Sequence, residues 1–446
     1  MGLFLKEGNF MSKTVQHSLI VGFALFAIFF GAGNLIFPPS IGNVSGTEWI
    51  IALVGFCVTG IVLPLLSVIA IINVGGKFED LTRPISPWFY KVFNLLLMVG
   101  IGMFVTIPRM SATTHELGVH QLFPNVPSIV TIIVFFAICF YFAMDKSNVI
   151  DKIGKVLTPL LVVILLFIVG KGIFDPIGAP VVTNIKNSFS NAFISAYQTG
   201  DVVTGIFCAP IFIVAIAGFG YKGKSARKMA LTGTLIAGIG LLIVYGGLLF
   251  IGASGSGFAP KGIEDTALVS LLVDRSLGSI GGVALAVAIA LACLTSAIGV
   301  IAVIGDFLND LTKNKLSYRV WVGIICVVGI VIGSAGVGAI VTYAMPIFLA
   351  LYPVAIVLVL LGVFAKFIPN AGSYQGAILL TFIVSFLETV GSLLKTPVLT
   401  NIILKLPLAS DGFSWLVPSI VGFIVGTLVY KLKGHNEVNL GQVKSE

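Results

Sequence analysis

Long runs of apolar residues recur along the whole chain, and they limit which folds it can adopt. Runs of roughly 18 or more mostly apolar residues are long enough to cross a bilayer as a helix. Hydrophobic residues make up 57% of the 446 residues and charged residues 10%, which excludes a soluble globular domain. Runs such as 160–170 and 355–364 do not alternate apolar and polar side chains, which excludes a transmembrane barrel. The sequence predicts an all-α polytopic membrane protein.

Twelve membrane-spanning helices are predicted from apolar runs bounded by glycine, proline, asparagine and charged clusters. The polar start followed by an apolar run resembles a signal peptide, but no small-x-small cleavage site precedes residues 31–39, so we interpret this run as a retained first helix. The helices are expected at residues 17–38, 49–72, 88–117, 127–144, 150–171, 190–220, 227–252, 280–309, 318–335, 339–364, 375–394 and 412–431.

Lysine and arginine residues are distributed unequally between the two sides of these spans. Nineteen fall in the N-terminal segment, the C-terminal tail and every second loop, six fall in the opposite loops, and Arg109 is left inside a span. Because basic residues concentrate on the cytoplasmic side, both termini are predicted to be cytoplasmic. The net charge of +8 is spread over short loops rather than gathered in one patch, so it does not indicate nucleic-acid binding.

The first apolar run contains a segment that is poorly suited to a helix. Residues 31–39 read Gly-Ala-Gly-Asn-Leu-Ile-Phe-Pro-Pro, and glycine, asparagine and proline all disfavour a helix interior. We expect this segment to open the helix at membrane depth. Lipid cannot satisfy the freed backbone groups, so such a break is tolerated only where it is buried in protein or lines a polar cavity. The break is therefore a predicted site for an ion and a small polar solute.

The sixth apolar run has a similar interruption. Residues 197–201 read Tyr-Gln-Thr-Gly-Asp, and Pro210 follows. Five spans separate the two breaks, so the second would run through the membrane in the opposite direction, as in transporters built from inverted five-helix repeats. Two ordinary proline kinks are the alternative interpretation. The predicted organisation is an N-terminal segment 1–16, repeats 17–171 and 190–364, two peripheral helices within 375–431, and a tail 432–446.

Several motifs resemble the bacterial branched-chain amino acid carriers of the branched-chain amino acid:cation symporter family. They are FGAGNLIFPP at 30–39, IPRMSAT at 107–113, YQTGD at 197–201, LACLTSAIG at 291–299 and PIFLALYP at 346–353. The resemblance covers nearly the whole chain. It implies a LeuT-like fold with a ten-helix core of two inverted repeats, broken helices 1 and 6, and two peripheral helices, in a bacterial inner membrane. The chain has Gly200 where many members have methionine, which bears on fine substrate preference.

The eighth predicted span carries two adjacent hydroxyl side chains that would suit a sodium ion. Such an ion takes about five or six oxygen ligands, and a helix break supplies carbonyl oxygens that have lost their partners. The resemblance implies that the ligands are the carbonyls of Ala27, Phe30 and Ala292 and the side chains of Thr295 and Ser296. The alternative is that both hydroxyls bond back to carbonyls one turn earlier.

A zwitterionic amino acid needs donors for its carboxylate and acceptors for its ammonium group. Two opened helices offer both from their backbone, amides at half-helix N-termini and carbonyls at C-termini. We expect one group of residues to contact the carboxylate or order the first break, and a second group to meet the ammonium and close over the side chain. The first group is Gly31, Ala32, Gly33 and Asn34, and the second is Tyr197, Gln198, Thr199 and Gly200.

The charged residues within predicted spans include Asp201, Arg109, Glu116 and Glu388. Asp201 is expected at the second break, where it would bind the ammonium group, a second cation or a proton, or cap the following half-helix. Arg109 and Glu116 are seven residues apart and so share a helix face. Mutual neutralisation is favoured over a pair that faces the outer vestibule. Glu388 is expected to face a neighbouring helix or an oligomer contact.

Other residue types suggest no catalytic or metal chemistry. The five cysteines are scattered one to a span and are interpreted as packing residues. The four histidines do not form a pair spaced four apart, so a metal site is not favoured. The segment 252–257 is interpreted as a flexible outer loop rather than a nucleotide-binding loop. Gly329 and Gly333 suit close helix packing.

These observations predict a secondary active transporter that imports leucine, isoleucine and valine together with a cation by alternating access. Each methylene group gives only modest discrimination in an apolar pocket, so one carrier should serve all three substrates. The coupling ion is predicted to be Na⁺, with H⁺ coupling or an uncoupled carrier of the same fold as alternatives. The lipid bilayer and the amino acid are the expected partners, with no organic cofactor, no obligatory protein partner and no enzymatic activity.

Overall fold

A computed structural model describes residues 13–144, 158–260 and 262–433 of the protein. Within these ranges all regular secondary structure is helical. Most of the predicted N-terminal segment 1–16, the start of the fifth predicted helix at 150–157, and most of the predicted tail 432–446 lie outside the described residues.

The α-helices are numbered here in chain order. They are α1 (Lys13–Phe29), α2 (Ala32–Ser45), α3 (Trp49–Cys57), α4 (Leu63–Val74), α5 (Phe78–Thr82), α6 (Pro87–Leu95), α7 (Ile107–Thr113), α8 (His120–Leu122), α9 (Ser128–Ala143), α10 (Thr158–Phe174), α11 (Ser188–Ser195), α12 (Asp201–Gly218), α13 (Gly223–Ser254), α14 (Asp265–Leu311), α15 (Tyr318–Gly333), α16 (Val337–Val363), α17 (Ala371–Leu393), α18 (Pro397–Ile403) and α19 (Leu416–Leu432). Wider π-helical turns at Val58–Val62, Leu96–Thr106 and Thr114–Val119 join α3 to α4, α6 to α7, and α7 to α8.

The apolar runs of the sequence are mostly helical within the described ranges. Seven helical stretches there are long and apolar enough to cross a membrane, and five apolar helices are shorter. The long stretches are Ala32–Val74, Pro87–Leu122, Asp201–Gly218, Gly223–Ser254, Ile280–Leu311, Val337–Val363 and Ala371–Leu393. The shorter helices are α1, α9, α10, α15 and α19. This set agrees with the multi-pass arrangement that the sequence predicts.

The first helix break is much narrower than predicted. It consists of the two residues between the end of α1 at Phe29 and the start of α2 at Ala32, where Gly31 is extended with φ −112° and ψ −165°. The helix then continues through Pro38 and Pro39. The expectation that the whole segment to Pro39 is open is wrong, because a membrane helix tolerates proline where a neighbouring helix packs closely.

That neighbour is α13, whose glycines let its backbone touch the backbone of α2. A Cβ atom on Gly252 would overlap the carbonyl of Pro39, and a Cβ atom on Gly42 would overlap the carbonyl of Leu249. Each helix thus supplies a glycine at the point where the other presents a carbonyl group. The backbones of the two helices are therefore in contact at Pro39 and at Gly42.

The second break lies between α11 and α12. A 3-10 turn, Ala196–Thr199, follows α11, and Gly200 has φ 76° and ψ 7°, a left-handed conformation that favours glycine. The next helix begins at Asp201 and runs through Pro210 without interruption. Both breaks therefore occur at glycine residues and not at prolines, so the interpretation as two proline kinks is wrong.

One compact unit contains the residues up to Cys57, Gly102–Gly200 and Lys228–Thr342. In it, α3 packs against α11, α10 against α14, and α15 against both α9 and α14. Gly329 lies against the ring of Phe136. Gly329, which the sequence predicted to allow close helix packing, therefore packs against another helix of the same chain.

The other compact unit contains Val58–Ile101, Asp201–Arg227 and the residues from Tyr343 onward. Here α4 packs against α12, and α17 packs along α19. Glu388 of α17 accepts a hydrogen bond from the Ser414 hydroxyl, just before α19. The expectation that Glu388 faces a neighbouring element of the chain agrees with this contact.

The contact between α17 and α19 is made by backbone against backbone. Gly372 and Gly376 on α17 face Gly426 and Gly422 on α19, and a Cβ atom on any of the four would overlap a carbonyl of the opposite helix. Each pair is spaced four residues apart, so both glycines lie on one face. The sequence interpretation did not single out these residues.

The eighth predicted span, 280–309, agrees with the long apolar stretch Ile280–Leu311. A further helical segment that was not predicted precedes it from Asp265, and Gly278, with φ 59° and ψ −151°, separates the two parts of α14. The segment before α14 is well packed, since the Ser256 hydroxyl accepts a hydrogen bond from the Val181 amide at 3.0 Å. A Cβ atom on Gly255 would overlap the side chain of Leu272. Residues 252–254 still belong to α13 and residues 255–257 form the turn that follows it, so the loop begins later than predicted.

Candidate functional site

The carbonyl end of α1 meets the hydroxyl of Ser296 at the first break. Ser296 Oγ lies 3.1 Å from the Ala27 carbonyl oxygen, 3.3 Å from that of Ile28 and 3.2 Å from that of Phe30. Carbonyls in the last turn of a helix have no intrahelical donor, which explains why they are available here. Ser296 is buried. One hydroxyl proton is thus shared among three converging oxygen atoms.

Thr295 has a different partner from Ser296. Its hydroxyl donates to the Ala292 carbonyl at 3.0 Å, within the same helix. Thr295 therefore follows the alternative interpretation of bonding back by one turn, whereas Ser296 reaches across to another helix. A hydroxyl that donates its proton still has lone pairs, so this bond does not prevent Thr295 from also coordinating a cation.

Asn34 holds the first break in its open form. Its side-chain oxygen accepts a hydrogen bond from the Gly31 amide at 3.1 Å, and its side-chain nitrogen donates to the Tyr245 hydroxyl. The tyrosine ring stacks on Phe30 at 5.9 Å and lies edge-on to Phe56 at 5.2 Å. Residues from α2, α3 and α13 therefore fix the geometry of the opened backbone.

The two breaks meet at Gly33. An ideal Cβ atom at this position would lie 3.2 Å from each of three atoms, the Thr199 Cα, the Arg109 Nη2 and the Phe37 Cε2. These distances are shorter than ordinary van der Waals contact, so a side chain at this position would require its neighbours to shift. The first turn of α2 thus lies directly against the 3-10 turn before Gly200.

Arg109 is buried beside this crossing, with 1% of its surface exposed. Its Nη2 donates to the Gln198 carbonyl at 2.6 Å and its Nη1 to Gln198 Oε1 at 3.4 Å. The guanidinium carbon lies 5.5 Å from the centre of the Phe37 ring, a cation–π contact. Arg109 therefore touches the turn at the second break and the helix that follows the first.

The expectation that Arg109 and Glu116 neutralise each other is wrong. Glu116 Oε1 instead accepts a hydrogen bond from the Val337 amide at 2.8 Å, at the start of α16. The prediction assumed an α-helix between the two charges. The helix widens to a π turn at Thr114–Val119, which changes the direction of every side chain after Thr113.

The predicted residues of the second break form one closed turn. The Gly200 amide donates to the Tyr197 carbonyl at 3.0 Å, and the Thr199 hydroxyl donates to the Ala196 carbonyl at 2.8 Å. The Gln198 side-chain nitrogen donates to the Val341 carbonyl at 3.4 Å. All of these residues but Val341 are packed in the protein interior, with at most 5% of the surface of Tyr197, Gln198 or Thr199 exposed.

Asp201 is the first residue of α12 and is buried. A carboxylate in the first turn of a helix is stabilised by the helix dipole. The next amide, that of Val202, donates to the Tyr352 hydroxyl at 3.1 Å. Tyr352 belongs to the motif at 346–353 and was not assigned a role from the sequence.

Comparisons with known proteins relate the chain to a described family and fold. The family model described as "Branched-chain amino acid transport protein" matches residues 14–433. The branched-chain amino acid permease BraB of Bacillus subtilis (strain 168) is 33% identical over 429 residues, which are 93% of this chain and 96% of BraB. The chain belongs to the branched-chain amino acid transport family. The branched-chain amino acid transport system 2 carrier protein of Pseudomonas aeruginosa is 29% identical over 425 residues, 93% of this chain and 96% of the carrier.

Two solved transporters share the fold of this branched-chain amino acid transporter. A Na⁺-coupled sialic acid symporter in a substrate-bound outward-open state matches with a TM-score of 0.59 and 17% identity, over 93% of this chain and 90% of the symporter. Mhp1 in an inward-facing conformation matches with a TM-score of 0.55 and 12% identity, over 94% and 92% of the two chains. The predicted LeuT-like fold with broken helices 1 and 6 is confirmed.

The transporter contains two site residues that sequence reasoning missed, Tyr245 and Tyr352. Each is a tyrosine inside an otherwise apolar run, and each uses its hydroxyl next to a helix break. A tyrosine hydroxyl at membrane depth must find a hydrogen-bond partner within the protein. That requirement was a usable signal, but it does not identify the partner.

Proposed function

We propose that the transporter is a symporter that brings leucine, isoleucine and valine into a bacterial cell together with Na⁺ by alternating access. The supporting observation is the convergence of the Ser296 hydroxyl with the carbonyls of Ala27 and Phe30 at the open end of α1. Hard cations such as sodium prefer oxygen ligands, and the Ser296 hydroxyl and three carbonyl oxygens converge here. The protein would lie in the inner membrane with both termini in the cytoplasm.

The proposed ion ligands are the carbonyls of Ala27, Phe30 and Ala292 and the hydroxyls of Thr295 and Ser296. The Ser296 hydroxyl donates towards the carbonyls of Ala27, Ile28 and Phe30. With an ion between them, the hydroxyl would turn its proton away and present a lone pair, while the carbonyls keep their direction. A small rotation of one side chain would thus convert a hydrogen-bonded contact into a coordination site.

The amino acid would bind at the place where the two breaks meet. Its carboxylate would be held by the first amides of α2, those of Ala32 and Gly33, because amides in the first turn of a helix have no intrahelical acceptor. Its ammonium group would be stabilised by acceptors near Tyr197, Thr199 and Gly200, with Asp201 as a further negative charge. The aliphatic side chain would need an apolar pocket, which would accept all three substrates.

Coupling would arise because the ion ties α1 to α14. An ion drives a conformational change only by as much as it binds one state more tightly than another. Sodium would favour the outward-open state, in which α1 and α14 together supply the ligands, and the amino acid would then complete closure. Reciprocity requires that sodium raise the affinity for leucine and that leucine raise the affinity for sodium.

The decisive experiment is uptake of labelled leucine into proteoliposomes with one ion gradient imposed at a time. An inward sodium gradient at equal pH should drive accumulation of leucine above its external concentration. Accumulation that follows a pH gradient without sodium would replace this proposal with a proton-coupled carrier. Uptake that reaches equilibrium but ignores both gradients would indicate an uncoupled carrier of the same fold.

A further inference from the structure

Two histidines come together at the end of the helical stretch Pro87–Leu122. The rings of His115 and His120 have their centres 5.6 Å apart and are tilted by 45° relative to each other. His115 is partly buried, and His120 is exposed. Imidazole is the commonest protein ligand of metal ions, so a close pair of histidine rings outside the proposed transport site calls for a chemical interpretation.

A π turn brings the two histidines together. In a regular α-helix, residues three or four apart are neighbours, whereas His115 and His120 are five apart. His115 lies in the π turn Thr114–Val119, and the His120 amide donates to the His115 carbonyl. This bond spans five residues, as in a π-helix, and it places the two residues next to each other. The α-helical spacing of four therefore did not indicate this pair.

Thr131 of α9 orients the ring of His115. Its hydroxyl oxygen lies 3.0 Å from His115 Nδ1, and Thr131 itself is buried. A neutral histidine that donates from Nδ1 has its free lone pair on Nε2. Metal-ligating histidines have this arrangement, in which the second ring nitrogen donates to an oxygen atom and fixes the ring. One ring of the pair is thus held by a neighbouring helix.

The separation of the rings suits a metal ion between them. Zinc binds imidazole nitrogen at about 2.0–2.1 Å, so two rings that share one ion have their centres about 5–6 Å apart. The observed 5.6 Å lies in this range. Within the described ranges, no three His, Cys, Asp or Glu side chains are grouped so that they could hold a metal ion. Water would therefore complete the coordination, which makes the site weaker than a structural zinc site with four protein ligands.

We propose that His115 and His120 form a binding site for one divalent transition-metal ion of the zinc class, with Thr131 orienting His115. Zn²⁺, Ni²⁺ and Cu²⁺ bind imidazole well, whereas Mg²⁺ and Ca²⁺ prefer oxygen ligands, so the site discriminates between these two groups. The predicted topology puts this end of the span on the outer side of the membrane, where dissolved metal ions have access. The site does not depend on which solute the protein transports.

The test is the binding of Zn²⁺ to the purified full-length transporter in detergent, measured by competition with a fluorescent zinc chelator. The wild type should bind Zn²⁺ with a micromolar Kd, and an excess of Mg²⁺ should not displace it. His120→Ala should weaken the affinity about tenfold or more, because one of the two protein ligands is lost. His120 is exposed, so loss of its ring should leave the fold intact.

Two further variants assign the affinity to this pair. His17→Ala is the matched control, since it removes a histidine from α1 and should bind Zn²⁺ as tightly as the wild type does. Thr131→Val keeps a branched side chain but removes the oxygen beside His115 Nδ1. It should weaken zinc binding roughly tenfold, as the loss of a hydrogen-bond partner behind a metal ligand does.

Several results would overturn the proposal. The wild type would then show no micromolar binding of Zn²⁺, or His120→Ala would bind Zn²⁺ as tightly as the wild type. Equal losses in His120→Ala and His17→Ala would also contradict a site at this pair. Wild-type affinity in Thr131→Val would contradict the orienting role of Thr131. Sodium-driven leucine uptake by a protein that does not bind zinc would reject this site and leave the proposed function intact.

Discussion

Two regions of the molecule, the helix breaks and the contact between α17 and α19, use glycine residues for opposite purposes. In the first unit, Gly31 and Gly200 interrupt helices and leave backbone groups turned towards other polar atoms. In the second unit, Gly376 and Gly422 lie inside complete helices and remove the side chains that would keep α17 and α19 apart. The same residue type therefore opens a backbone in one place and brings two intact backbones together in the other.

The comparison shows which sequence context separates the two uses. The glycines of α17 and α19 come in pairs spaced four apart, so they form one smooth face on each helix. Gly31 and Gly200 are followed within three residues by a side chain that can bond to backbone, Asn34 and Asp201. A glycine alone in an apolar run indicates neither use. The residues around a glycine determine whether it interrupts a helix or allows two helices to pack closely. Substitutions at these two kinds of glycine should therefore have different consequences.

The largest effect is expected at the crossing of the breaks. Gly33→Val should lower leucine uptake about 100-fold or more, because its branched side chain would separate the first turn of α2 from Thr199 and Arg109. The measurement is initial uptake per folded molecule in proteoliposomes. Gly170→Val on α10 is the control, since a Cβ atom there meets no atom within 4 Å. Equal losses in both variants would show that the crossing has no special role.

A change in the glycine contact of the second unit should affect stability instead. Gly376→Ala would force α17 and α19 apart and should cost about 1–3 kcal/mol of stability, seen as a lower Tm in detergent. Uptake per folded molecule and its sodium dependence should stay unchanged. Gly218→Ala is the control in the same unit, because the added methyl meets open space. An altered sodium requirement without a change in Tm would contradict the division between the two uses.

A smaller effect is expected from the hydroxyl at the open end of α1. Ser296→Ala should raise the sodium concentration for half-maximal uptake about tenfold, the loss of a single ion ligand. Competition among leucine, isoleucine and valine should hardly change. Thr295→Ala should act in the same direction. Ser385→Ala is the control, since Ser385 is also buried and its hydroxyl also donates to the carbonyl of another helix, that of Ala350. Equal effects on sodium dependence and on substrate competition would argue against an ion at Ser296.

The smallest effect is expected from Tyr245, which stabilises the first break but is not part of it. Tyr245→Phe removes the hydroxyl that binds the Asn34 side chain and should reduce uptake a few-fold, for a hydrogen bond of about 1 kcal/mol. Tyr374→Phe is the control, because that hydroxyl makes only a long contact, 3.4 Å, with the Leu361 carbonyl. Unchanged uptake in Tyr245→Phe would mean that Asn34 holds the break without help.

Hydropathy and local residue preferences were enough to predict the fold class and the location of both breaks. They overestimated the length of the first break. The helix continues through Pro38 and Pro39 where it packs against a glycine of α13 that is more than 200 residues away in the chain. They also missed Tyr245, which is 211 residues from Asn34. Single-sequence patterns report what a segment prefers locally, and they do not report which distant segment packs against it.

The error at Arg109 has a different physical origin. Residue spacing assigned Glu116 to the same helix face, which is correct only for a regular α-helix. A π turn between them redirects Glu116 to the start of α16 and leaves Arg109 beside Gln198. No residue type marks such a turn reliably. The charges could be located on their helix from the sequence, but their partners could not.

The backbone contact between α2 and α13 has a mechanical consequence. The half-helix that follows the first break has 14 residues, and its glycine and carbonyl groups fit into those of a 32-residue neighbour. Sliding or rotation of one against the other would drive a carbonyl into a backbone. We therefore expect α2 to move together with α13 as one rigid segment. A change in the angle between α1 and α2 would then occur at the two residues before Ala32.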